Sequence, residues 1–494
     1  MYRKDTPHQM TFPNFYLPFG GELSGENRWV ILAEQIPWHR IEQNYSELFS
    51  DDDGCPAKAA RVGFGALLIK ERLGTTDRET VEQIRENPYL QYFLGFTDYS
   101  DEPAFHHSMM THFRKRFSKE VLAEINDMIV EKAVNQASDV SDDSCDDDDR
   151  PSNNGKLIVD ATCAPADITY PTDLNLLNEA REKTEAIIDT MHAPFIGSKR
   201  KPRTYRQKAR KAYLAVAKQK KPGYTTIRKA IGKQLRYLKR NLKTIAKRAE
   251  EGLLWLLSKR AHRQLLVIQE LVRQQVWMYE HRCHAIADRI VSISQPHVRP
   301  MVRGKARSPV EFGAKMSVSL VNGFSFVDRI CWDAYNESGD LKSQIERYRR
   351  RFGCYPESVH ADQIYRTREN RRYCKKHGIR LSGPPLGRPK TTTEANASEL
   401  KQQRQIHRQD EIDRIAIEGK FGQGKRRFTL GRIMAKLAKT SEAVITVSFI
   451  VMNLERILSI LFCFLLWFCR NWRVALCVCA GGSPHRAWPL QIAA

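Results

Sequence analysis

Seven of the eleven residues from 139 to 149 (DVSDDSCDDDD) are aspartate. A like-charge block this dense repels itself and stays extended, so residues 139–154 read as an acidic linker. Paired carboxylates can bind metal, but an extended run has no preorganised geometry for it. The block divides the chain into two parts with different apolar periods.

Upstream, apolar residues recur at helical spacing through AKAARVGFGALLIKERLG, RETVEQIRENPYLQYFLGF and FHHSMMTHFRKRFSKEVLAEINDMIVEKAV, with Gly74, Pro88, Gly95 and Pro103 in the interruptions. This pattern predicts an all-α N-terminal domain over 1–138. One of its helices carries His106, His107, His112, Arg114, Lys115 and Arg116; that face suits either phosphate contact or plain solvation.

Downstream the period changes. GKLIVD (155–160) is an apolar run that reads as a buried strand with Asp160 at its C-terminal end. A long helical stretch follows, about 175–295. Then EFGAKMSVSLV and GFSFVDRICWD alternate across Asn322-Gly323, a strong hairpin signal. A charged helix over 341–352 precedes a strand ESVHAD that ends in Asp362. A basic helix (367–377), a short strand GIRLSG and a long helix from Glu394 to about Lys425 complete the order. The fold class is α/β: a mixed sheet over 155–456 interrupted, after its first strand, by a helical insertion.

Composition adds the partner. The 494 residues carry 80 Lys+Arg against 57 Asp+Glu, a formal charge of +23, and an excess of that size draws a chain to polyanions. With 41% hydrophobic and 28% charged residues, a mostly disordered chain, a collagen-like repeat and a polytopic membrane protein are excluded. The charge is concentrated: residues 199–248 hold 20 Lys/Arg and no Asp or Glu, interleaved with Tyr205, Tyr213, Tyr224 and Tyr237. A solvated helix face usually mixes signs. The window is therefore read as a duplex-DNA backbone surface, carried by Lys199, Arg200, Lys201, Arg203, Arg206, Lys208, Arg210, Lys211, Arg236, Lys239 and Arg240.

Two acids at strand ends with a third on a following helix are what two-metal phosphoryl transfer needs, because the ions must be held by oxygen ligands on rigid elements. Singly, an Asp at a strand end is more often a cap or turn residue. The residues quoted nevertheless resemble a known family. KLIVDATCAPADITYPTDLNLLNEAREKTEAIID (156–189), ESVHADQIYRTRENRRYCKKHGIRLSG (357–383) and RIAIEGKFGQGKRRF (414–428) resemble, in order, the three catalytic blocks of bacterial insertion-sequence transposases of the DDE type. The likeness extends over about 10–455. It implies a ribonuclease-H-like core, with Asp160, Asp362 and Glu418 as catalytic acids holding two Mg²⁺ (or Mn²⁺). It also implies that Arg414 and Lys425 contact DNA, that the N-terminal helices recognise terminal inverted repeats, and that a homodimer joins two ends to target DNA. No small-molecule substrate is expected. Some members carry a Tyr three residues before the arginine; here that position is Glu411, which adds a rival acid on the face of Glu418.

Rival readings are a structure-selective nuclease of the same fold and a retired transposase that only binds DNA. The 11 scattered cysteines read as reduced thiols, and the opening MYRKDTPHQM has no secretory pattern, so a cytoplasmic, nucleoid-associated protein with no membrane role is expected. The apolar run 457–469 is thirteen residues, short of the roughly 20 needed to span a bilayer, and reads as a buried terminal helix within a tail over 457–494.

Overall fold

The structure, a computed structural model, describes residues 15–17, 20–49, 57–138, 153–305, 308–387 and 396–479. The acidic run 139–149, the expected helix start at Glu394 and the last fifteen residues lie outside these.

Seven helices form the N-terminal part: α1 (Arg28–Gln35), α2 (Trp38–Ser46), α3 (Ala60–Leu73), α4 (Asp77–Glu86), α5 (Pro88–Phe93), α6 (Met109–Arg116) and α7 (Lys119–Ser138). Their boundaries follow ordinary capping. Asn27 and Thr76 accept hydrogen bonds from backbone N–H groups of α1 and α4, and Gly74 closes α3 in the left-handed conformation. On α6, Arg114 is buried and pairs with Asp77, and Arg116 stacks on Phe49. Two of the cations of that basic face thus hold the bundle together.

The sheet begins with β1 (Lys156–Pro165). The helical insertion follows as α8 (Asp173–His192), α9 (Arg206–Ala217), α10 (Tyr224–Glu250) and α11 (Lys259–His281). Then come β2 (Arg299–Lys305), β3 (Ser308–Val321), β4 (Phe324–Cys331), α12 (Leu341–Phe352), β5 (Ser358–Ala361), α13 (Arg368–Lys376), β6 (Arg380–Leu381), α14 (Ala397–Arg427) and α15 (Ala438–Cys479). The strand order is β2-β3-β1-β5-β6, with β4 on the same edge of β3 as β2. β1 is antiparallel to β3 and parallel to β5, and β5 is parallel to β6.

The expected hairpin is present, with Asn322 and Gly323 both at positive φ between β3 and β4, as a tight two-residue turn requires. β2 had no clear signal in the sequence. β1 is longer than its apolar run suggests: it continues five residues past Asp160, because β3 pairs with it as far as Pro165 opposite Gly313. Asp160 is therefore inside the strand, although the parallel pairing with β5 ends at Val159 opposite Ala361.

One continuous buried cluster joins the N-terminal helices, the sheet, α14 and α15. The insertion has its own clusters, in which Leu177, Leu238, Ile268 and Leu271 interlock α8, α10 and α11. Helix α15 is the main strut. Its Asn453 side chain meets Asn126 of α7 and the backbone of Ser325 in β4, and its Ser448 meets Glu71 of α3.

The expectation of a short, buried terminal helix needs correction on two counts. The helix starts at Ala438, and its segment Ala438–Cys463 is long and apolar enough, by length and composition, to cross a membrane. Most of that segment is packed against protein, but burial stops at Ile457, and Ile460, Leu461 and Phe462 are exposed.

Candidate active site

Val159 and Ala361 are the last register pair of β1 with β5, so the next residues, Asp160 and Asp362, emerge side by side. Asp160 accepts the backbone N–H of Ala161 (2.8 Å), and Asp362 accepts that of Gln363 (2.7 Å). Neither carboxylate forms a salt bridge among the described residues.

Helix α14 carries Glu418, the expected third acid. It is held along β1 and β6 by two anchors: Asp410, buried and bidentate to Arg380 (2.7 and 2.9 Å), and Asp413, paired with Lys156 (2.7 Å). With Ile417 buried in the core, Arg414 and Glu418 face Asp160 and form a pair at 3.1 Å. The other acids on this helix have different surroundings. Asp410 and Asp413 are structural anchors, and Glu411 lines a neighbouring cleft with Arg366. Lys425 lies in the last turn of α14.

The electrostatics report the convergence. The Asp160 carboxyl is raised to about 6, mainly by burial and in the same direction by Asp362 and Glu418, against the Ala161 N–H and Arg414. Other acids near this end of the sheet are neutralised: Asp340 by Arg329 (2.8 Å) and Glu337 by Lys315. Among the described residues no group of three or more His, Cys, Asp or Glu side chains is poised to hold one ion. The donor set is nevertheless all carboxylate oxygen, the chemistry hard divalent cations prefer. Burial, with the charges of Asp362 and Glu418 added, disfavours the ionised Asp160, and a dication would offset that.

Tyr365 was not singled out by sequence reasoning. It is fully buried, its hydroxyl has no hydrogen-bond partner among the described residues, and burial and the charge of Asp160 raise its pKa. Its spacing from Asp362, one turn onward, was the available signal.

The basic insertion presents its cations outward. All eleven named between Lys199 and Arg240 are exposed, while α10 buries Leu235, Leu238 and Ile245 against α8. Two of them are partly occupied, Lys201 and Arg206 pairing with Asp189 (2.6 and 2.8 Å). Arg240 stacks over Tyr205 (4.5 Å), whereas Tyr213 is turned inward to Asn175 (3.0 Å).

Residues 359–455 match the family described as Transposase DDE domain, and residues 19–116 match the one described as Transposase domain (DUF772). The first match spans Asp362, Arg414, Glu418 and Lys425. The chain is also 33% identical over 151 residues to an uncharacterized protein, ORF8 of the nfe locus of Rhizobium meliloti, over 31% of this chain and 68% of that protein. No solved structure matches the chain. A transposase domain among the N-terminal helices, a DDE domain around β5, α14 and α15, and a relative covered over two thirds of its length agree: the chain belongs to the insertion-sequence transposases of the DDE type.

Proposed function

We propose that this transposase cuts DNA at the ends of an insertion sequence and joins the freed 3′-hydroxyl to target DNA, with Asp160, Asp362 and Glu418 as its catalytic acids. The observation that carries the proposal is that Asp362, on the adjacent strand, and Glu418, on α14, both act on the charge of Asp160 at one end of the sheet. The strand order, with an antiparallel β4-β3-β1 unit extended by parallel β5 and β6, supports reading 155–456 as a ribonuclease-H-like core.

Asp160, Asp362 and Glu418 would hold two Mg²⁺ ions (or Mn²⁺), which when bound supply a nucleophile at neutral pH and charge stabilisation in an in-line phosphoryl displacement. The protein's own groups do the rest. The backbone of β1 fixes Asp160, and the end of β5 fixes Asp362. Arg414, now paired with Glu418, is free to turn its guanidinium to a phosphate once that carboxylate is engaged. Lys425 lies about three turns beyond Arg414 on the same helix, in reach of further phosphates.

Recognition falls to other surfaces. The helices of 1–138 read the terminal repeats, the exposed cations of 199–248 follow the flanking duplex, and two protomers pair two ends on nucleoid DNA in the cytoplasm. The test is a reaction with purified protein, Mg²⁺ and a duplex bearing the sequences that flank the gene. The proposal expects cleavage at the junction, then joining of a pre-cut 3′ end to a second duplex, both abolished by EDTA. Cleavage without joining would point to a nuclease. Binding without either would point to a retired transposase.

A further inference from the structure

Beside the three acids lies a cleft of about 270 Å³, walled by Arg366, the loop at Gly383 and the α14 residues His407, Glu411 and Arg414. Its lining charges are Arg366 and Arg414 against Glu411, because the buried acid on its wall, Asp410, has both oxygens taken by Arg380.

Arg366 is its least explained member. One end of the guanidinium is fixed, with Nη2 donating to the Ala361 carbonyl (3.1 Å) at the very end of β5. The Nε is enclosed and has no hydrogen-bond partner among the described residues. A buried charged donor left unmade is costly, so its presence calls for an acceptor. Gly383 is shaped around this side chain. It has φ +95°, and a Cβ there would lie 2.1 Å from Nη1 and 2.6 Å from Nε of Arg366. Only glycine lets the loop press flat against the guanidinium. The backbone of Arg366 is braced in turn by Arg371 (3.3 Å), which also holds the Pro384 carbonyl (2.9 Å).

We infer that this cleft is a subsite for one phosphate of the DNA strand next to the scissile phosphate, with Arg366 as the positioning residue that grips it. The inference rests on the assignment of the three acids as the reaction centre. A guanidinium fixed through Nη2, lining a cleft and keeping an unpartnered donor, is suited to hold a tetrahedral oxyanion. Four residues from Asp362, such a hold sets where the scissile bond falls relative to the acids, and small errors in that placement are costly in rate.

The test couples the residue to a single phosphate. Full-length protein is combined with a nicked duplex carrying the flanking sequences, in which each phosphate around the junction is replaced in turn by a neutral methylphosphonate. Affinity is measured in EDTA and cleavage in Mg²⁺. With wild-type protein, one neutral position weakens binding about tenfold, the effect of one charge-assisted hydrogen bond. Arg366→Ala weakens binding to unmodified DNA by the same factor and loses nothing further at that position, whereas Arg366→Lys recovers part of the loss. Gly383→Ala, which pushes the guanidinium away, reproduces the alanine result with Arg366 still present. If the Arg366→Ala and methylphosphonate losses multiply at every position, the residue is structural and the subsite is overturned. Because binding is read in EDTA, coupling without any cleavage would uphold the subsite while sinking the transposition chemistry; cleavage without coupling would do the reverse.

Discussion

Asp160 and Asp362 stand next to each other because they are the first residues past the last parallel pair, Val159 with Ala361. The backbone register, and not side-chain packing, therefore sets the distance between the two acids. That has a measurable consequence in the metal-free protein. The Asp160 carboxyl is pushed up to about 6, first by burial and then by Asp362 and Glu418. Its folded-state pKa is above the unfolded one, so the stability it contributes is complete at low pH and is lost as the pH rises through about 6. In EDTA, Asp160→Asn should melt higher than wild type at pH 8, and the gap should narrow as the pH falls below about 6 and close only below about 4. Mg²⁺ at pH 8 should raise the melting temperature of wild type and leave that of Asp160→Asn almost unmoved. A gap that does not change with pH would contradict the reading.

The exposed cations of the insertion predict a salt response. Arg236 and Lys239 on α10 and Lys211 on α9 are exposed and form no ion pair among the described residues. Replacing all three by alanine should weaken binding to any duplex. It should also flatten the plot of log affinity against log salt by about 0.9 for each phosphate that is no longer neutralised. An unchanged slope would remove this surface from the DNA path.

Glu71 predicts a coupling between the N-terminal helices and the catalytic helix. Its buried carboxylate accepts the Thr429 N–H (2.9 Å) and hydroxyl (2.8 Å) just beyond α14, and the Ser448 hydroxyl of α15 (2.5 Å). Glu71→Ala leaves these donors buried and unpaired, at a cost of about 2–4 kcal/mol, read as a fall in the denaturant midpoint. Equal midpoints would mean that water replaces the carboxylate.

Close approach of β1 and β3 predicts a severe backbone lesion. A Cβ on Gly313 would lie 2.0 Å from the carbonyl oxygen of Ala164, and backbone cannot step aside as a flexible side chain can. Gly313→Ala should cost about 3 kcal/mol or more, seen as poor soluble yield or a lowered melting temperature. A variant as stable as wild type would show that the two strands separate easily there.

Much of this was legible in the sequence, for physical reasons that differ by element. Asn322-Gly323 named its own turn because few residue pairs accept two positive φ values. The basic insertion was legible because an acid-free window fifty residues long has few structural uses. The full length of β1 was not, because residues 161–165 are held by pairing with β3 and not by their own apolar pattern. The separation of Asp410 and Asp413 from Glu418 was equally hidden, since it depends on Arg380 and Lys156, residues distant in the chain. Nor did sequence reveal that α15 begins at Ala438 and packs on both the N-terminal helices and β4. A helix apolar on most faces fits a core and a bilayer equally well until its partners are known.

The central claim is that Asp160, Asp362 and Glu418 form one metal-dependent reaction centre, and single substitutions test it most directly. Cleavage of a duplex bearing the element's end is measured in Mg²⁺ for Asp160→Asn, Asp362→Asn, Glu418→Gln and Glu411→Gln, with end binding measured alongside. Each of the first three changes should slow cleavage on the order of a thousandfold or more, as expected when several kcal/mol of transition-state charge stabilisation is lost. End binding should persist, and Glu411→Gln should keep most of the activity. Loss of cleavage in Glu411→Gln with activity retained in Glu418→Gln would move the third acid two turns along α14, and full activity in all four variants would contradict the account.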